Sequence, residues 1–288
     1  MMAGALNYAR RPVRRLFQVA YLSAHLPSHR RCVLLLRSSP TATSRLTQLK
    51  YLGNYLALGL TAAERLSILT CHYETMRRLP ASAQDELRTS ALIWSRPHLN
   101  GPPLQLRLEP AGSTLEGELQ LRVSLGADLF RLTFAFAPGH ICGGSSAPVI
   151  CIGEIKGMAA LPELREASRL NGEIAPRTLL MLAVQALARA WGIRDICIVK
   201  RTQQIAARAY FQFDYAILLA EFGGTVGRRF DWLPIDPQAR PLVETSPAHR
   251  SRARRRREAK ETIRASMTDR FSDLMSGQRV RFFGGPEV

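Results

Sequence analysis

From residue 61 the apolar positions recur with a helical period. Leu66, Leu69, Tyr73 and Met76 are spaced three, four and three apart, which places them on one buried stripe. Thr61 and Glu64 stand three apart just ahead of that stripe. This is the capping box, in which each side chain satisfies an orphaned backbone N–H of the other. The pattern predicts helices through residue 98. After the proline-rich break at 97–103 the period falls to two. Leu104, Leu106 and Leu108 alternate with polar residues, as do Leu119, Leu121, Val123 and Leu125, and then Phe130, Leu132, Phe134 and Phe136. Turn residues at Pro110–Gly112 and Gly126–Asp128 separate the runs. The expectation is an antiparallel meander over 104–109, 115–125, 129–137 and 149–156, with the four residues Phe130 to Phe136 on one buried face. The last of these strands, VICIGEI, is apolar on both sides, as an interior strand should be. A helix started by Pro176 and ended by Gly192 follows, then a short buried strand at 193–199. A helix over 203–222 and an edge strand at 228–235, limited to the edge by Pro234, come next. A charged, solvated helix over 248–275 ends the chain. The fold class is α+β: N-terminal helices, then a mixed, mostly antiparallel sheet with helices packed on it.

Charge divides the chain more sharply than periodicity does. Of a net +17, residues 1–63 supply nine Lys/Arg with no acid, and 249–260 supply seven against one acid. The intervening body is nearly neutral. This predicts a basic N-terminal extension (1–50), a main domain (51–245) and a basic C-terminal helix or tail (246–288). The five cysteines are odd in number and widely spaced, which argues against a disulfide framework and points to a reducing compartment. Their spacing suggests no metal site. The Arg-rich start lacks a clean apolar core and cleavage site for secretion, although its composition is also that of a mitochondrial presequence. No window is apolar enough to span a membrane. The expected location is the cytoplasm.

Several segments together resemble the VirK/YbjX-like family of bacterial proteins. They are YLGNYLALGLTAAERLSILTCHYETM (51–76), LEGELQLRV (115–123), LFRLTFAF (129–136), ICIGEIKG (150–157) and FDYAILLAEFGG (213–224), and they fall in the family's order over about residues 50–260. The resemblance implies an association with virulence and envelope stress in Gram-negative bacteria, and no described biochemistry. In the family a His usually follows the strand that ends at 199, where this chain has Gln203 and Gln204. A second resemblance is to a fold. NGEIAPRTLLMLAVQALARAWGIRDICIV (171–199) looks like the cofactor core of GNAT acyltransferases. There a loop and a helix N-terminus hold the pyrophosphate of acyl-CoA, because orphan N–H donors and the helix dipole favour an anion. By that likeness Arg169, Gly172 and Arg177 would lie near the phosphates. Tyr210 would protonate the leaving thiolate, with Tyr215 its near competitor. In this chain Glu173 brings negative charge to the phosphate position.

Read from the residues alone, Gly153 and Gly157 mark either a strand bulge or a close approach of backbone to ligand. Glu154 between them is a general base if desolvation raises its pKa, or one half of an ion pair. His72 reads as structural or surface. His140, Cys142, Ser145 and Ser146 share one Gly/Ser-rich loop that lacks a nucleophile elbow. The arginines at 250, 252 and 254–257 lack the interleaved aromatics of a base-stacking surface, so they suit phosphate groups without sequence preference. The functional classes open at this point are a VirK/YbjX-like protein of undefined activity, an acyl-CoA-dependent acyltransferase, and a non-catalytic protein that docks on anionic membrane or nucleic acid through its basic ends. Arg250, Arg252 and Arg254–Arg257 are expected to be exposed, on an appendage whose removal at Ser246 would barely change the melting temperature.

Overall fold

A computed structural model describes residues 20, 23–39, 45–112, 114–145, 147–205, 215–237 and 247–277. Helix α1 (Leu26–Ser38), a 3-10 segment (Arg45–Leu52), α2 (Ala62–Arg77) and α3 (Ala81–Thr89) precede the sheet. The capping box at the start of α2 is present: Glu64 N–H donates to Thr61 Oγ1 at 3.2 Å, and Thr61 N–H donates back to Glu64 Oε2 at 2.7 Å. Seven strands then lie side by side in sequence order: β1 (Ala91–Arg96), β2 (Leu104–Pro110), β3 (Leu119–Leu125), β4 (Ala127–Pro138), β5 (Pro148–Gly157), β6 (Ile196–Val199) and β7 (Phe230–Leu233). Every neighbouring pair is antiparallel except β5 and β6, which run parallel. A parallel pair needs a long crossover. Here α5 (Leu161–Leu170) and α6 (Pro176–Ala190) provide it. The α+β sheet and the meander of β2 to β5 match the expectation, and the last strand is at the edge. Strand β1 is a correction, because the helical reading extends over residues 91–96. Its burial alternates only at its start, too briefly to stand out from the helical stretch before it.

Two cores explain the two hydropathy patterns. On one face, Leu106, Leu121, Leu132, Phe134, Phe136 and Ile152 pack against α6 and against α8 (Pro247–Ser276). On the other, Ala135, Ala137, Val149, Cys151, Cys197 and Val199 pack under α1 and α2. That second layer does not extend over β2 and β3, whose outward Arg107 and Arg122 remain partly exposed. There Arg122 bridges Glu109 and Asp128, both at 2.8 Å. Strands wet on one side alternate with charged residues, whereas β4, covered on both sides over much of its length, alternates its large residues with the buried Thr133, Ala135 and Ala137.

The C-terminal helix differs from expectation. Its second half is not solvated: Ile263, Met267, Phe271 and Leu274, at spacings of four, four and three, are buried against the domain. Arg264 and Arg270 are buried too. Arg270 Nε donates to Leu92 O of β1 at 3.0 Å and pairs with Glu86, while Arg264 reaches Asp236 and Glu261. The apolar stripe is hidden in the sequence by the charged residues between its members. Of the helix expected over 203–222, the described residues show Gln203 in a 3-10 turn (Arg201–Gln203) and α7 over Tyr215–Phe222, and residues 206–214 lie outside the described residues.

Candidate functional site

Strand β5 outruns its parallel partner β6, which ends at Val199, and this leaves a fork past Ile152. Pairing of β5 with β6 runs Ile150 with Ile196, Cys151 with Cys197 and Ile152 with Ile198; beyond this, β5 continues to Gly157 paired with β4. Gly153 sits where the β4–β5 register shifts, so it is a bulge. A Cβ there would lie 1.8 Å from Glu116 O, so the close backbone approach is to the chain itself. Gly157 is exposed near the Phe130 ring.

Side chains fill the fork. Tyr215 projects from α7 and its hydroxyl accepts the Ile155 N–H at 3.0 Å, while Gln204 Nε2 donates to Val199 O at 3.4 Å. Both are buried. Burial pushes the Tyr215 phenol up to about 12, opposed by its bonds to Ile155 N–H and Gln204. Glu154 is buried and pairs across the strand with Arg131 at 3.2 Å; Lys156 is not its partner. Beside it, burial first and the Glu154 charge second raise the Glu116 carboxyl. Tyr210 lies outside the described residues.

The N-terminus of α6 is covered by a carboxylate from α7. Thr178 Oγ1 donates to Glu221 at 3.4 Å, Arg177 pairs with Glu221 at 3.4 Å, and Lys260 of α8 approaches it at 3.8 Å. This answers the anion preference of a helix start from within the chain. Glu173, in left-handed backbone at φ 64°, turns outward and takes a bidentate contact from Arg252, which holds its carboxyl below the usual range. Arg169 and Gly172 are exposed.

The first three turns of α8 carry the arginine run. Arg250, Arg252, Arg254, Arg255 and Arg256 are exposed and Arg257 is half-buried. Arg254, Arg255 and Arg256 make no ion pair among the described residues. Pairs 250/254, 252/256, 252/255 and 254/257 stand at helical contact spacing. Like charges there oppose the helix by about 0.2–0.5 kcal/mol each, and positive charge at a helix start is unfavourable besides. Apart from the Arg252 contact with Glu173, this arrangement adds little to local stability. The buried second half of the helix nevertheless fixes the arginine face on the body.

Two buried polar groupings were not visible in the sequence. Lys50 Nζ lies 3.1 Å from Glu118, whose other oxygen accepts the Tyr73 hydroxyl at 2.5 Å, all three being buried. His72, fully buried, accepts the Phe136 N–H at Nδ1 at 3.3 Å and stacks on that ring. Burial, and secondarily the Lys50 charge, push its pKa down to about 3. Separately, Cys142, Cys151 and Cys197 bring their sulfurs within 4.8 Å of one another, which their sequence spacing did not suggest. Among the described residues, no helix is long and apolar enough to cross a membrane. Residues 4–269 match the model of a family described as a protein of unknown function, DUF535. No curated protein and no solved structure matches the chain.

Proposed function

This chain belongs to the DUF535 family of proteins of unknown function, and we propose that it is a non-catalytic binding protein for polyanionic surfaces. The observation that carries the reading is the first half of α8. It is a row of exposed arginines, unfavourable to its own helix, held in place by a second half locked into the core. Affinity would come from phosphate-bearing groups through counterion release, without sequence preference. On an anionic bilayer each cation near the surface would add about 1 kcal/mol. The likeness to VirK/YbjX-like proteins would place this binding in virulence or envelope-stress adaptation, from the cytoplasmic side.

The test is a triple substitution, Arg254→Gln, Arg255→Gln and Arg256→Gln, in the full-length protein. Binding to heparin, duplex DNA and phosphatidylserine vesicles is measured against salt. The variant should keep its melting temperature and bind polyanions more weakly. On DNA its salt slope should be shallower by about 0.9 for each phosphate that is no longer neutralised. Unchanged affinity and slope would overturn the reading.

One observation favours an enzyme instead. The fork between β5 and β6, with Tyr215 on the Ile155 N–H, is the place where a GNAT-like acyltransferase would admit acyl-CoA. In that reading Tyr215 and Gln204 would move to open the fork, and the anion at the α6 start would exchange with Glu221. A saturable rise in melting temperature with acyl-CoA would favour it, since a ligand of the native state alone must stabilise that state. The binding reading expects a rise no larger than free pyrophosphate gives at the same concentration and salt.

A further inference from the structure

We infer that Cys142, Cys151 and Cys197 form a three-thiolate site for a thiophilic d10 cation, copper(I) or zinc(II), inside the core between the sheet and the N-terminal helices. Cys151 and Cys197 are register partners on the parallel strands β5 and β6, with both side chains on the face covered by α1 and α2. Cys142 comes from elsewhere. It ends the short turn of helix α4 (Gly139–Cys142), which lies between β4 and β5 and folds back over that face. The loop after β4 is built for this return. A Cβ on Gly139 would lie 2.1 Å from Ser145 O, one on Gly144 would lie 2.6 Å from the Trp232 ring, and Gly143 takes φ 89° to cap the turn. The Gly/Ser-rich composition that reads as a connector is thus what lets the third thiol reach the other two.

The geometry suits a bound ion. Three sulfurs about 2.3 Å from a central ion in a trigonal plane stand about 4.0 Å apart. The observed spacing, within 4.8 Å, needs only a small inward movement of the side chains. Soft thiolates select copper(I) and zinc among the available metals. No fourth His, Cys, Asp or Glu joins the set among the described residues, which suits three-coordinate copper(I), while zinc(II) would take water as its fourth ligand. On binding, each thiol gives its proton to solvent and its sulfur lone pair to the metal. The product carries charge −2 with copper(I) or −1 with zinc(II). The Arg229 guanidinium, which donates to Ile141 O at 3.1 Å beside Cys142 and pairs with Glu64 at 2.9 Å, is the neighbouring cation.

The experiment is an anaerobic titration of the reduced full-length protein. Copper(I) is added against bathocuproine disulfonate, and zinc(II) in a separate arm against a chromophoric zinc chelator. Each arm reads bound metal per chain, thiolate-to-metal absorption in the ultraviolet, and the melting temperature. One equivalent should bind in at least one arm and raise the melting temperature, and the stronger arm identifies the ion. Cys151→Ser and Cys142→Ser should each lose that equivalent. Cys32→Ser and Cys71→Ser, outside the cluster, should retain it. If either cluster variant fails to fold, the wild-type stoichiometry and absorption band still decide. Absence of a stoichiometric site in both arms would overturn the inference, as would equal loss in Cys32→Ser, or recovery of a Cys151–Cys197 disulfide that binds no metal after reduction.

Discussion

His72 should make this protein acid-sensitive, by an amount its burial allows to be worked out. Its Nδ1 accepts the Phe136 N–H, so the ring is neutral with its proton on Nε2, and that atom has no partner among the described residues. Charging the ring would cost the bond to Phe136 and place a cation in a dry core near Lys50. The folded pKa of about 3 lies below the unfolded value of 6.5. Between those values the unfolded chain binds a proton that the folded chain refuses, so stability falls as pH drops through that window. At about pH 5 the loss from this one group is about 2 kcal/mol relative to about pH 7.5. The perturbation is His72→Asn, which keeps an acceptor oxygen near the position of Nδ1 but cannot titrate. The variant loses ring packing, so it is less stable at neutral pH. Urea unfolding of both proteins across the range should show the wild type losing about 2 kcal/mol more than the variant on acidification. Parallel pH profiles would refute the reasoning, because they would mean that His72 is protonated, or accessible to protons, in the native state.

Other perturbations follow from the same structure. Truncation at Ser246 removes Ile263, Met267, Phe271 and Leu274 from the core, an upper limit of about 6–12 kcal/mol, comparable to the whole stability of a typical domain; near-ultraviolet circular dichroism should show tertiary structure lost, and an intact spectrum with an unchanged melting temperature would contradict the packing. Lys50→Met should cost about 3–5 kcal/mol by leaving Glu118 buried without its cation, and adding Glu118→Leu should recover much of that in chemical denaturation. Gly153→Ala should cost about 3 kcal/mol or more through collision with Glu116 O, whereas Gly157→Ala, whose Cβ would sit 3.4 Å from Phe130, should be nearly neutral in the same assay.

The sheet was legible because its strands carry their burial in their spacing. Phe130, Leu132, Phe134 and Phe136 share one buried face as expected, although Thr133 and Ala135 between them are buried too, and the doubly apolar VICIGEI run is covered on both faces. Strand β1 and the inner stripe of α8 were not legible: the first alternates too briefly, and the second is diluted by arginines that are themselves buried through long-range partners such as Glu86 and Leu92 O. The same limit applies to the sites. Gly153 could be singled out from its place in a strand, but the neighbour that demands a glycine there is Glu116, and no local pattern names it. Lys50, Glu118 and Tyr73 meet across separations of 45 and 68 residues, and the three thiols come from two strands and a loop. Pairings of that kind are fixed by topology. The arginine run was visible because it is contiguous in sequence.

The contact between Arg270 and Leu92 O bears on how the chain is made. Strand β1 is the first edge of the sheet, and an open edge invites pairing with another chain. The residue that donates to its carbonyl is 178 positions later. At about 5–20 residues per second, a ribosome needs roughly 9–36 s to pass from one to the other. Throughout that interval the growing polypeptide presents an unguarded strand beside the leucines that α8 will later cover. A chain laid out in this order completes the cover of its first strand only when its final helix emerges.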